Sequence, residues 1–275
     1  MKGRGLLWPA VWMVLVIIAF SCQDSENDQP GRIIIKITDA PFPVEIIDEA
    51  SVTITKVEIR NTEDTAGNSF LTIFEDTAEF NLLELRNGVT AELLDEEIPA
   101  GNYDLIRIYV DHASISVKDH DTYSVKVPSG AQTGIKVFIK PSIRIAGGLT
   151  EVLLDFNVDR SFVLKGNMNT PAGIKGFNFK PVIRAVNIMS AGVVEGRVMD
   201  SDSLPVQDAE VWIGQDTVVS SAFTDEEGFY ALLGIPAGIY ALSAAKEGFD
   251  TVTYEGIEVI EGNLTHQDFL LENAE

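Results

Sequence analysis

The chain has 275 residues, 42 acidic against 20 basic side chains, a formal net charge of −22 and a single cysteine. That balance excludes the phosphate-neutralising grip of a nucleic-acid-binding protein and an electrostatic hold on an anionic membrane surface. With one cysteine there are no intrachain disulfides and no cysteine-based zinc centre, so the fold must stand on packing alone.

Lys2 and Arg4 precede an apolar run from Leu6 to Phe20, which ends at Ser21 and Cys22 and is followed by the acidic polar stretch Gln23 to Asp28. A spanning helix needs about 20 apolar residues. This run is shorter and has the basic start, apolar middle and small-residue end of a secretory signal. Ala19-Phe-Ser-Cys22 resembles a bacterial lipobox of the loose kind found in Bacteroidota, although Phe20 departs from the usual small or aliphatic residue. The resemblance implies a signal peptide over residues 1–21 and lipidation of Cys22 as the mature N-terminus; an uncleaved N-terminal anchor is the other reading. Cleavage would remove two basic residues and no acidic one, taking the charge from −22 to −24. One acyl chain holds a protein only marginally, so a stable anchor implies a multiply acylated cysteine. Residues 22–31, ending in Pro30-Gly31, read as a flexible acidic linker. Gln23 and the acids after it resemble the sorting and export signals of Bacteroidota lipoproteins. The expected location is therefore the outer membrane, lipid-anchored and exposed at the cell surface.

From Arg32 onward the pattern is short β runs between turn residues, with almost no helical period. Ile33–Thr38 is the first. Val52 and Ile54, then Val57 and Ile59, alternate on either side of a phase slip at Thr55-Lys56, which predicts a β-bulge because a one-residue slip sends later side chains to the wrong face. Phe70–Phe74, Tyr103–Val110, Ser114–Lys118, Tyr123–Val127, Ile135–Ile139, Glu151–Phe156 and Phe177–Val186 are further strands. Asn81–Arg86 is open between strand and one helical turn with Asn81 as cap and Gly88 as stop. Thr38-Asp-Ala-Pro41, Ile98-Pro-Ala-Gly-Asn-Tyr103, Val127-Pro-Ser-Gly130 with Thr133-Gly-Ile-Lys136, and Leu154 to Ser161 together resemble the domain-of-unknown-function 4382 family of exported bacterial lipoproteins. That family has no established chemistry, so the resemblance implies an address and a β-sandwich over residues 32–187.

Ile188–Gly192 is a short joint. Beyond it, Val194-Glu-Gly-Arg-Val198, Leu204 to Val211, Thr224-Asp-Glu-Glu-Gly-Phe-Tyr230, Ile235-Pro-Ala-Gly-Ile-Tyr240 and Glu247-Gly-Phe249 follow in an order that resembles the carboxypeptidase regulatory-like (transthyretin-like) domain, a small antiparallel Greek-key sandwich. It is expected over residues 193–273. Asp208 stands where glycine is usual, and Asp tolerates left-handed backbone well enough for the turn to survive. Gly228 is expected to supply positive φ in a hairpin connection. Ile-Pro-Ala-Gly-x-Tyr occurs once in each half, at 98–103 and 235–240. Both domains are therefore expected to share one strand-turn-strand element. The fold class is all-β, with two sandwiches.

Chemistry is sparse. The three histidines, His112, His120 and His266, do not begin a His-x-x-Glu, and nothing has the spacing of a catalytic zinc site. Asp155-x-Asn157-x-Asp159 places three oxygen side chains at alternate positions and opens like a calcium loop, but lacks the glycine and the glutamate that complete one. Turn capping and a solvated strand end compete with metal there, and no cofactor is expected. Asp64-Thr-Ala66 and Asp76-Thr-Ala78 faintly echo the aspartic-protease triplet without its glycine. Asp-Ser/Thr-aliphatic triplets at Thr65, Thr77, Ser203, Thr217 and Thr251 resemble the O-glycosylation acceptor of Bacteroidota exported proteins, and the same triplet is also a way for a turn to enter a strand. Ala209, Val211 and Ile213 alternate as core, which turns Trp212 outward as a candidate for stacking on a sugar ring or protein partner, or for covering the domain joint. The expectation is a non-enzymatic, lipid-anchored envelope protein that binds carbohydrate or protein. A structural or assembly accessory of an outer-membrane complex is the alternative, and a hydrolase with an unrecognised carboxylate site comes third.

Overall fold

A computed structural model describes residues 29–40, 47–64, 69–127, 130–167 and 173–274. The signal segment, Cys22 and Thr65 lie outside the described residues.

The first half contains β1 (Gly31–Ala40), β2 (Ile47–Asn61), β3 (Phe70–Phe74), β4 (Ala78–Asn81), β5 (Ala91–Ile98), β6 (Gly101–Val117), β7 (Thr122–Val125), β8 (Ile135–Ile145), β9 (Leu149–Asn157), β10 (Phe162–Gly166), β11 (Ile174–Phe179) and β12 (Ile183–Asn187). One layer runs β5-β1-β9-β12 and the other β3-β2-β6-β8, with β4 on β2 and β7 on β6. A single parallel bridge, Ile139 to Ala185, joins the layers where β8 meets β12. Between them lies one core, to which β1 contributes Ile33, Ile35 and Ile37 and β2 contributes Val52, Ile54, Val57 and Ile59. The β2 bulge falls where the phase slip predicts it: Ile54 faces Val110 and Lys56 faces Tyr109, leaving Thr55 unopposed.

Two expected boundaries change. Tyr103–Val110 and Ser114–Lys118 form one 17-residue strand, β6. Thr53 faces His112 and Ile54 faces Val110, so a bulge accommodates Asp111 where the polar pair Asp111-His112 suggested a break. Phe177–Val186 divides instead, because Pro181 has no N–H to give a ladder. β11 pairs with β10 as a separate hairpin, β12 joins the main sheet, and the chain between them is held by Ser161, whose Oγ accepts from Val182 N at 2.9 Å. Asn81 caps a 3-10 turn, Leu82–Glu84, and Gly88 follows at φ +86°.

The second half contains β13 (Ala191–Asp200), β14 (Glu210–Gly214), β15 (Val218–Phe223), β16 (Phe229–Pro236), β17 (Gly238–Ala245), β18 (Val252–Val259), β19 (Leu264–His266) and β20 (Phe269–Leu271). β16-β13-β19, with β20 also on β13, faces β15-β14-β17-β18 across a second core that includes Val194, Val211, Ile213, Tyr230, Leu242 and Phe269. The expected sandwich is present, but not wholly antiparallel: β13 runs parallel to β19 and β20. A 3-10 turn, Ile188–Ser190, makes the joint, and β13 already begins at Ala191. Asp208 and Gly228 take positive φ, +54° and +71°, as their turns require.

The repeated Ile-Pro-Ala-Gly-x-Tyr units do equivalent work. Each carries the chain from a strand of one layer, β5 or β16, to an interior strand of the other, β6 or β17. Tyr103 Oη donates to Pro99 O at 2.8 Å, and Tyr240 Oη donates to Pro236 O at 2.9 Å. Both are tyrosine corners, in which a buried ring carries its hydroxyl back to the backbone that turned it.

Candidate functional site

Alternation along β1, β9 and β12 produces a second buried face. Ile37, Leu154, Phe156 and Ala185 point into the first core, so Thr38, Leu153, Asp155, Arg184 and Val186 point the other way. Yet Leu153 is 0% and Val186 7% exposed, because the second domain covers that face. Gly234, at φ +63°, comes so close that a Cβ there would lie 3.4 Å from Leu153 and 3.5 Å from Val186.

Three polar side chains cross this face in register. Thr38 of β1 stands opposite Asp155 of β9, and Asp155 opposite Arg184 of β12. The Arg184 guanidinium donates to Asp155 Oδ2 at 2.7 and 3.2 Å, and to two carbonyls of the second domain, Gly234 O at 2.8 Å and Leu233 O at 3.1 Å. One side chain thus ties a carboxylate of the first domain to the backbone of the second. Thr38 Oγ1 lies within hydrogen-bond reach of Leu85 O and Val89 O, which fixes the loop that brings Gly88 against Ala231.

Beside the joint, on the core side of β1 opposite Phe156, Asp39 is an uncompensated buried group. Its Oδ1 accepts from Val158 N at 3.2 Å, while its buried Oδ2 has no partner. Burial, reinforced by the Asp155 charge, pushes the Asp39 carboxyl well above the usual carboxylate range. Burial raises Asp155 too, against the opposing pull of Arg184. The arrangement thus sets a carboxylate paired with Arg184 near a second, buried carboxyl that has no cation of its own.

The residues singled out from the sequence do not assemble into one site. Asp155 is committed to Arg184, Asn157 Oδ1 caps the turn after β9 by accepting from Arg160 N at 2.8 Å, and Asp159 is exposed. Among the described residues no three His, Cys, Asp or Glu side chains converge as a metal site. Trp212 lies on the outer face of β14 between Ser221 and Ser243, half-buried, while Val211 and Ile213 fill the core. It borders a depression of about 130 Å³ with Gln215, Asp216, Thr217 and Ser243. Thr77, Ser203, Thr217 and Thr251 are all exposed. Leu153, Arg184 and Val186 also build the face at the joint, and the unbroken apolar run Val152-Leu-Leu154 is the sequence signal of a strand buried on both faces. Among the described residues no helix is long and apolar enough to cross a membrane.

Fold and joint together define a two-sandwich, all-β protein whose domains are bolted through a part-buried Asp-Arg pair. Residues 30–181 match the family described as Domain of unknown function (DUF4382), and the chain belongs to it. Residues 193–272 match the Carboxypeptidase regulatory-like domain. No curated protein matches the chain. Similar solved structures include 3-chlorocatechol 1,2-dioxygenase from Rhodococcus opacus 1CP, at 16% identity over 31% of this chain and 60% of that one, TM-score 0.25. The minor pilin GBS52 of Streptococcus agalactiae matches at 10% identity over 89% of this chain and 97% of its own, TM-score 0.26. The shaft pilin SpaA of Lactobacillus rhamnosus GG matches at 8% identity over 90% and 99%, also at TM-score 0.26. The chain spans less than two thirds of the dioxygenase's length.

Proposed function

We propose that this is a non-enzymatic envelope protein, lipid-anchored to the outer membrane through Cys22 and exposed at the cell surface, which binds carbohydrate through the Trp212 face of its second domain. The carrying observation is the setting of Trp212. Its indole lies on the outer side of a sheet whose inner side is fully packed, beside a depression rimmed by an amide, a carboxylate and hydroxyls. A flat aromatic surface bordered by hydrogen-bonding groups suits a sugar ring, which has one apolar face and an equatorial belt of hydroxyls. A glycan array probed with the intact protein tests it: binding is expected, and Trp212→Ala should abolish it. A wild-type protein that binds no glycan, or a variant that binds as well, defeats the reading.

The anchor is tested separately. Cys22→Ala should release a folded, soluble protein, whereas continued membrane attachment would overturn lipidation. Protease treatment of intact cells should remove the domains if they face outward. The exposed Thr77, Ser203, Thr217 and Thr251 support O-glycosylation, and an intact mass equal to the acylated polypeptide alone would exclude it.

A second reading, a structural accessory of an outer-membrane complex, is favoured by the bolted joint, since a spacer needs its two domains held in fixed relation. Stoichiometric co-purification with envelope proteins after crosslinking in intact cells, without glycan binding, would select it.

A further inference from the structure

The outer edge of the joint carries a cleft of different character. β8 alternates Val137 and Ile139 into the core with Lys136, Phe138 and Lys140 outward, so one strand presents an aromatic ring between two ammonium groups. Phe138 is 53% exposed, although Leu105, directly opposite it in the β6 register, is buried. The ring therefore covers apolar surface on one side and offers its other side to solvent. Because β8 and β12 meet through one bridge only, the seam between them is open. Val186 of β12, with Val219 and Pro236 of the second domain, closes it into a cleft of about 400 Å³. That volume lies in the range of small-molecule sites.

The charge of this cleft is opposite to the chain's overall balance. In a chain of 42 acidic and 20 basic residues, its lining holds three cations, Lys136, Lys140 and Arg184, and no carboxylate. Arg184 is already engaged by Asp155 and two carbonyls. Among the described residues the two lysines have no ion-pair partner, and Lys140 Nζ stands 5.8 Å from the Phe138 ring centre. A local cationic site within a strongly acidic molecule attracts anions that the net charge of the whole repels.

We propose that this cleft binds a small organic carboxylate with an aromatic or short aliphatic body, its carboxylate held by Lys136 and Lys140 and its body laid over Phe138 against Val219 and Pro236. Neither half of the site suffices alone. Exposed lysine pairs hold anions weakly in water, and an apolar cleft alone would take neutral compounds equally well. Since the walls come from both domains, occupancy also stabilises their joint.

The test is isothermal titration of the purified chain with 4-phenylbutyrate, and with 4-phenylbutan-1-ol as its neutral counterpart. The acid is expected to bind at least about tenfold more tightly than the alcohol, and Lys136→Glu/Lys140→Glu to weaken it by a similar factor or more. Phe138→Ala should weaken both probes. Lys136→Gln/Lys140→Gln, with an unchanged melting midpoint in the absence of probe, guards against a folding defect and should still lose the preference for the acid. Equal affinity for acid and alcohol, retention of acid binding by the glutamate variant, or no binding of the acid up to its solubility would each overturn the proposal.

Discussion

Replacing Arg184 with methionine keeps the side chain's stem and removes the charge that spans the joint. Breaking a buried ion pair by deleting one partner costs about 3–5 kcal/mol, mostly from the charge left behind. Asp155 is 9% exposed and Arg184 25%, so water reaches the cationic end and the cost falls just below that range, at roughly 2–3 kcal/mol. Loss of the donors to Gly234 O and Leu233 O adds about 1 kcal/mol. A total of about 3–4 kcal/mol in a protein of this size lowers the melting midpoint by roughly 10 °C. Trp212 is the only tryptophan beyond residue 21 and sits in the second domain, so its fluorescence follows that domain's urea transition while circular dichroism follows the whole. Arg184→Met should shift both. Asp155→Asn, added to it, should recover part of the loss by removing the stranded charge. A variant within about 0.5 kcal/mol of wild type, or a double variant worse than the sum of the two singles, would show that Asp155 and Arg184 do not depend on each other in the way argued.

Asp39→Asn should flatten a pH dependence. Because its folded-state affinity for a proton exceeds the unfolded one, Asp39 favours the fold below the ordinary aspartate range near 4 and loses that contribution as pH rises towards its raised folded value. The urea midpoint of wild type relative to the variant should therefore fall with rising pH, and a constant difference would refute the assignment. Tyr103→Phe and Tyr240→Phe should each cost about 1 kcal/mol through the lost bond to the proline carbonyl, Tyr240→Phe being read first in Trp212 fluorescence. Asp208→Gly, relieving a side chain held at φ +54°, should stabilise the second domain by up to about 1 kcal/mol in the same assay.

Most of the fold was legible because its signals are local. The phase slip at Thr55, the glycine-like backbone at Asp208 and the two Ile-Pro-Ala-Gly-x-Tyr units are each written within a few residues and each appears in place. The misplaced boundaries have the opposite character. Whether Asp111-His112 ends a strand or sits in a bulge depends on β2, which lies some fifty residues earlier. The joint is less legible still. Asp155 reads as an oxygen ligand in the sequence because Asn157 and Asp159 stand at alternate positions beside it. Its actual partner is a cation 29 residues on, whose remaining donors meet carbonyls about 50 residues beyond that. Pairings at that separation follow from strand order, which a single sequence does not print.

The joint also makes the first domain dependent on the second. Leu153 and Val186 sit on the outer face of a finished sandwich, where they would be solvated if the chain stopped at Asn187. Burying a side chain of this kind is worth about 1.5–3 kcal/mol, so uncovering the two together forfeits roughly 3–6 kcal/mol before Arg184 is counted. Much of a domain's total stability of about 5–15 kcal/mol is at stake. Residues 32–187 expressed alone should therefore unfold at markedly lower urea than they do in the whole chain and should associate through the uncovered face. Leu153→Thr with Val186→Thr should restore solubility to the fragment while weakening the intact protein. A fragment as stable and monomeric as the parent would mean that the second domain merely rests against that face, and that the burial of Leu153 and Val186 contributes nothing to holding the two sandwiches together.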